Sequence, residues 1–155
     1  MPKITFVKEK REVEVPEGTV LRDAALKADP PIQVNFFPVE IRGGLLGRYL
    51  NCLGHGTCGS CKVLVKKGME NLAPKGMSEA EAKQYCENVA KGLDQAGRKG
   101  LLERFTLGHM LSSIGHEGEM RLACQVRVCG DVTVETRPEF NWSGDNFWQK
   151  PYPNK

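Results

Sequence analysis

The chain has 155 residues, 26% of them charged and 40% hydrophobic, and a net charge of +3. That is enough chain to bury a core without disulfide staples, and its balance is that of a soluble globular domain rather than a disordered one. No apolar run approaches the roughly 18 residues of a membrane-spanning helix, and basic residues alternate with acidic ones, as in Lys8-Glu9-Lys10-Arg11-Glu12, which gives no dense patch for nucleic acid.

The chain opens with an alternating hairpin pattern. Lys3-Ile4-Thr5-Phe6-Val7 and Arg11-Glu12-Val13-Glu14-Val15 flank a charged turn. Thr19 follows the Pro16-Glu17-Gly18 turn and is expected to cap a helix starting at Val20, with Leu21, Ala24, Ala25 and Ala28 on one face. Pro30-Pro31 ends that helix, and Ile32 to Ile41 reads as extended. Residues 42–61 hold six glycines and three cysteines, a loop whose backbone must pass close to something. Lys62 to Lys66 is then a strand.

Residues 67–120 read as helical elaboration. Ser78 and Glu81 match a capping box ahead of Ala82, Tyr85, Cys86, Val89 and Ala90 at helical spacing. A second helix is expected within Leu101 to Ile114. From Arg121 to Glu135 strand character returns, with Val126 and Val128, then Val132 and Val134, on either side of a turn or bulge at Gly130-Asp131. The tail, 138–155, carries Phe140, Trp142, Phe147, Trp148 and Tyr152 among prolines and asparagines. The first residues, Met1 to Val7, lack the apolar stretch of a secretory signal, so a reducing, cytoplasmic setting is expected.

In that setting clustered cysteines point to metal or redox chemistry. Cys52, Cys58 and Cys61 are spaced C-x5-C-x2-C in the glycine-rich loop, and Cys124 follows after 62 intervening residues in Arg121-Leu122-Ala123-Cys124-Gln125. Three thiolates on one loop and one distant thiolate can close around two irons, with glycines presenting backbone N–H groups to the sulfurs of an anionic cluster. Structural zinc prefers two close ligand pairs and fits the spacing poorly. Disulfides fit the expected compartment poorly, and a Rieske centre needs two histidine ligands, whereas His55, His109 and His116 show no Cys-x-His spacing.

The sequence resembles the plant-type and bacterial [2Fe–2S] ferredoxins. The matching pieces are Cys58-Gly59-Ser60-Cys61-Lys62-Val63-Leu64-Val65, the stretch Glu70-Asn71-Leu72-Ala73-Pro74, and Arg121 to Gln125 followed by Gly130-Asp131-Val132-Thr133-Val134. The resemblance covers most of residues 1–90 and 118–137. The resemblance implies an α+β, β-grasp fold, a mixed sheet packed on a helix, in a single domain over 1–137. It leaves a helical insertion at about 91–117 and an irregular C-terminal tail at 138–155. It implies a [2Fe–2S] cluster with Cys52, Cys58, Cys61 and Cys124 as iron ligands. Cys86 then belongs to the apolar stripe of its helix, and Cys129 to packing or surface, with a minor claim as an alternative ligand. Leu53 and His55 are expected at the exposed edge of the site. Five residues between Cys52 and Cys58, where the chloroplast pattern has four, leave the physiological partner open.

The expected function is electron transfer rather than catalysis, with one electron shuttled between a reductase or redox complex and an acceptor enzyme. The alternative is a fixed electron-transfer subunit of a larger redox assembly, docked through the insertion and the aromatic tail. No G-x-G-x-x-G follows a strand, so a nicotinamide or flavin site of its own is not expected.

Overall fold

The computed structural model describes residues 1–34, 52, 54–108 and 116–138. Strands β1 (Lys3–Phe6) and β2 (Arg11–Glu14) form the expected antiparallel hairpin, Ile4 facing Val13. Ile4 and Phe6 point into the core, whereas Glu12 and Glu14 leave charge on the outer edge, which discourages pairing with another chain. After β3 (Thr19–Val20) comes helix α1 (Leu21–Lys27). Strand β4 (Lys62–Lys67) emerges from the glycine-rich loop. A turn of 3-10 helix at Met69–Asn71, β5 (Leu72–Pro74), helix α2 (Glu79–Ala90) and helix α3 (Leu101–Gly108) follow. Strand β6 (Met120–Leu122), a 3-10 turn at Ala123–Gln125, β7 (Val126–Val128) and β8 (Val132–Thr136) complete the described elements.

The main sheet has five strands in the order β2-β1-β8-β4-β6, with β1 and β8 parallel and the other pairs antiparallel. The order β2-β1-β8-β4 with a parallel central pair is that of a β-grasp sheet, so the α+β class expected from the sequence is present. A second sheet, β3-β7-β5, is antiparallel throughout. Leu21, Ala24 and Ala25 of α1 pack with Phe6, Val63, Leu122, Val126 and Val134 in one continuous core. Each such large aliphatic or aromatic side chain contributes about 1.5–3 kcal/mol by leaving water.

Three expectations are corrected locally. Thr19 is not a helix cap. It lies in β3, its hydroxyl donates back to the Pro16 carbonyl (2.7 Å), and Val20 precedes α1 with no side-chain cap. The helix is correspondingly short and ends at Lys27. The valines on either side of Gly130-Asp131 do not form one hairpin, because β7 joins the small sheet and β8 the large one. The alternation was readable, but pairing partners are set by distant strands. Of the extended stretch expected at 32–41, residues 32–34 are described outside any strand, with Ile32 and Val34 buried, and 35–41 lie outside the described residues. The capping box is present as expected. The Ser78 hydroxyl accepts from the Glu81 N–H (3.3 Å), and the Glu81 carboxylate accepts from the Ser78 N–H (2.7 Å). Helix α3 fills the described part of the predicted second helix, and all but Pro138 of the tail lies outside the described residues.

Candidate metal centre

Two distant segments of sequence meet at the glycine-rich loop. One is the loop itself and the other the 3-10 turn Ala123–Gln125, which α1 backs from the core side. The Ala123 N–H donates to the Cys61 carbonyl (2.9 Å), so the fourth cysteine is registered against the third by backbone. The four cysteines form two thiol pairs. The Cys58 thiol donates to Cys52 Sγ at 3.4 Å, near the surface. The Cys61 and Cys124 side chains lie in one buried core, held together through the Ala123–Cys61 backbone bond. Among the described residues no three His, Cys, Asp or Glu side chains gather around one point as a single-ion site would have them.

The backbone already turns toward these sulfurs. The Gly56 N–H donates to Cys52 Sγ (3.2 Å) and the Ser60 N–H to Cys58 Sγ (3.5 Å). Gly56 shows why the loop needs glycine. Its φ is +85°, a region L side chains rarely adopt, and a Cβ there would lie 2.7 Å from the Gln125 side chain. Gln125 Nε2 in turn donates to the Gly54 carbonyl (3.0 Å), and Lys75 Nζ reaches the same oxygen (3.1 Å). The loop is thus tied to the turn that carries Cys124 and to the residue after β5.

The electrostatics follow the geometry. Burial pushes the Cys52 thiol up, but donors at Cys58, Thr57 and Gly54 outweigh it and bring it down to about 6. In the inner pair the hydrogen bond from Cys61 holds the Cys124 thiol down against burial, helped by Gln125 and by the Lys75 charge. Cys61 keeps the proton, its thiol pushed up by its bond to Cys124 and by burial. The Arg22 guanidinium also ends beside Gly54, so two cations flank a loop able to hold anionic sulfur.

Of the other residues singled out by sequence, His55 is exposed and donates its N–H to the Cys52 carbonyl (3.1 Å), and Leu53 lies outside the described residues. Cys129 is turned away from the four thiols. Its thiol donates to the Ala82 carbonyl (3.5 Å), and it packs in a separate small cluster with Ala73, Tyr85 and Cys86.

Sequence reasoning missed how the insertion supports the site. Thr106 of α3 donates its hydroxyl to the Gly56 carbonyl (2.5 Å). Glu103, one helical turn earlier, is fully buried and accepts from Arg121 Nε (2.8 Å), from Arg121 Nη2 (3.0 Å) and from the Leu122 N–H (2.9 Å). Helix α3 therefore covers the β6 edge of the large sheet and grips the strand that leads into Cys124. The hint in the sequence was an acid placed among apolar residues in Leu101-Leu102-Glu103-Arg104-Phe105.

No family model matches the chain, and no curated protein matches it. Among solved structures it is similar to the ISC-like [2Fe-2S] ferredoxin (FdxB) from Pseudomonas putida JCM 20004, at 24% sequence identity and a TM-score of 0.47, over 90% of this chain and 94% of that one.

Proposed function

We propose that the chain is a one-electron carrier that holds a [2Fe–2S] cluster on Cys52, Cys58, Cys61 and Cys124. It would pass electrons from a reductase or redox complex to an acceptor enzyme. The observation that carries this reading is the arrangement of four thiols as two adjacent pairs, one outer and one buried, brought together from loop and turn. Two ligands per iron is what a two-iron cluster asks of its protein. When bound, the cluster supplies a one-electron couple at potentials tuned by hydrogen bonds and exposure. The chain's own residues then do three things. The backbone N–H groups of Gly56 and Ser60 offset negative charge on the outer sulfurs. Lys75 and Arg22 add fixed positive charge beside the loop. The core around Cys61 and Cys124 keeps water from the inner pair, so exchange with a partner is assigned to the side of exposed Cys58 and His55.

In this reading residues 1–137 act as one domain. The compartment proposed is the cytoplasm, where thiol ligands stay reduced for loading.

The test is iron and sulfide analysis with an EPR-monitored redox titration of anaerobically purified protein. The expected result is about two irons and two sulfides per chain and one reducible paramagnetic signal. Zinc without sulfide, or an intact protein without metal, would overturn the proposal.

One observation favours the alternative of a fixed subunit in a larger redox assembly. Helix α3, which touches the loop through Thr106, exposes Leu101 (82%), Leu102 (50%) and Phe105 (66%) on its outer side. Size-exclusion of native extract separates the two readings, since a carrier elutes alone and a subunit co-elutes with its assembly.

A further inference from the structure

Two cysteines play no part in the proposed centre, and they meet each other. Cys86 comes from the inner face of α2 and Cys129 from the end of β7, 43 residues apart in sequence. Cys129 packs against the small cluster of Ala73, Ala82, Tyr85 and Cys86, its sulfur 3.5 Å from the carbonyl of Ala82, one helical turn before Cys86. The packing is anchored on both sides. Helix α2 rests on β5, and β5 pairs with β7 in register, Leu72 facing Val128. The Cys129 N–H donates to the Asn71 carbonyl (2.9 Å), which fixes the backbone on which the thiol is carried.

The two sulfurs differ in access. Cys86 is buried. Cys129 is half-buried and opens into a surface cleft formed with Glu17, Gly18, Glu79, Ala80 and Lys83. A small polar oxidant can therefore reach Cys129 and not Cys86. This is the pairing a two-cysteine oxidation site requires, with an accessible attacking thiol and a buried resolving thiol in contact with it. We propose that Cys86 and Cys129 form a reversible peroxide-reactive dithiol, separate from the metal centre.

The chemistry balances with hydrogen peroxide as the named oxidant. The Cys129 thiolate attacks one peroxide oxygen, the O–O bond breaks, and hydroxide leaves and takes up a proton as water, with Cys129 oxidised to the sulfenic acid. The Cys86 sulfur then attacks the Cys129 sulfur, the S–O bond breaks, and a second water leaves, giving the disulfide. Two thiols lose two electrons and two protons, and one peroxide becomes two waters. Access assigns the roles, since only Cys129 opens into the surface cleft while Cys86 is buried.

The test uses the full chain purified anaerobically and treated with hydrogen peroxide, followed by capping of free thiols and peptide mapping by mass spectrometry. The expected product is a cross-linked peptide pair containing Cys86 and Cys129, reversed by dithiothreitol. In Cys86→Ala the cross-link is lost, and Cys129 should accumulate as sulfenic or sulfinic acid. The proposal is overturned if Cys129 of the unaltered chain is oxidised without a cross-link. It is equally overturned if both cysteines remain free thiols in a large excess of peroxide. Iron and sulfide measured on the same samples report the metal centre separately, and the cross-link is expected whether or not the centre is loaded.

Discussion

Glu103→Ala should cost about 3–5 kcal/mol of stability, because it strands the Arg121 guanidinium, fully buried, without its counter-charge. The carboxylate meets Arg121 through two nitrogens and also takes the Leu122 N–H, so three donors lose their acceptor at once. What remains around the guanidinium is the Arg98 carbonyl (3.1 Å) and the Met69 sulfur (3.7 Å), neither of which carries charge. Denaturant midpoints measure the loss. Pairing the change with Arg121→Met identifies its origin. If the cost is an uncompensated buried charge, Glu103→Ala with Arg121→Met regains most of it. A residue of about 1–3 kcal/mol should persist, since the Leu122 N–H on the covered sheet edge still lacks an acceptor. A double variant as unstable as Glu103→Ala would instead mean that helix docking, and not charge, carried the energy. A Glu103→Ala loss below about 1 kcal/mol would mean that water reaches Arg121 and the site is not dry. The same variants bear on the centre, because β6 runs from Arg121 directly into the turn holding Cys124.

Glu103 also marks what the sequence could and could not reveal. Local patterns carried far. The β1-β2 hairpin, strand β4 and the capped helix α2 are where alternation, composition and the Ser78–Glu81 box put them. These features are encoded within a few residues of themselves. Features that depend on which distant segments meet were not readable in that way. Thr19 had the chemistry of a cap, but pairing of Thr19 with Val128 drew it into a strand. Val126 and Val134 alternate alike and yet serve different sheets. The Glu103–Arg121 pair joins residues 18 apart through a helix whose place in the fold no local period specifies. For the candidate site, cysteine spacing marked the residues, while Gly56 indicated only that something must come close. That the close neighbour is Gln125, tied to Gly54, required the fold.

Cys124→Ser should abolish loading of the centre, whereas Cys129→Ser should leave it complete, although the two cysteines are only five residues apart in the chain. The contrast follows from where each thiol is held. Cys124 lies on a 3-10 turn in the main core, packed in the same buried cluster as Cys61 and reached by Gln125 Nε2 (3.7 Å). Cys129 lies past a full strand, in the other cluster, with its thiol on the Ala82 carbonyl. To replace Cys124 as a ligand it would have to pull β7 out of register with both β3 and β5, breaking the ladders on either side. Losing a supporting partner of a metal ligand typically costs about 10–100-fold in affinity. Removing a ligand itself from a buried, water-excluding pair should cost more, since a serine hydroxyl is a poor donor for iron and leaves Cys61 without its partner. Iron and sulfide per chain and the visible absorbance of anaerobically prepared variants check both halves. Full loading in Cys124→Ser together with loss of loading in Cys129→Ser, the fold intact by circular dichroism, would move the fourth ligand to Cys129. Equal loading in both variants would mean that the outer pair and Cys61 hold the metal without a fourth thiolate, a site of different chemistry from the one proposed.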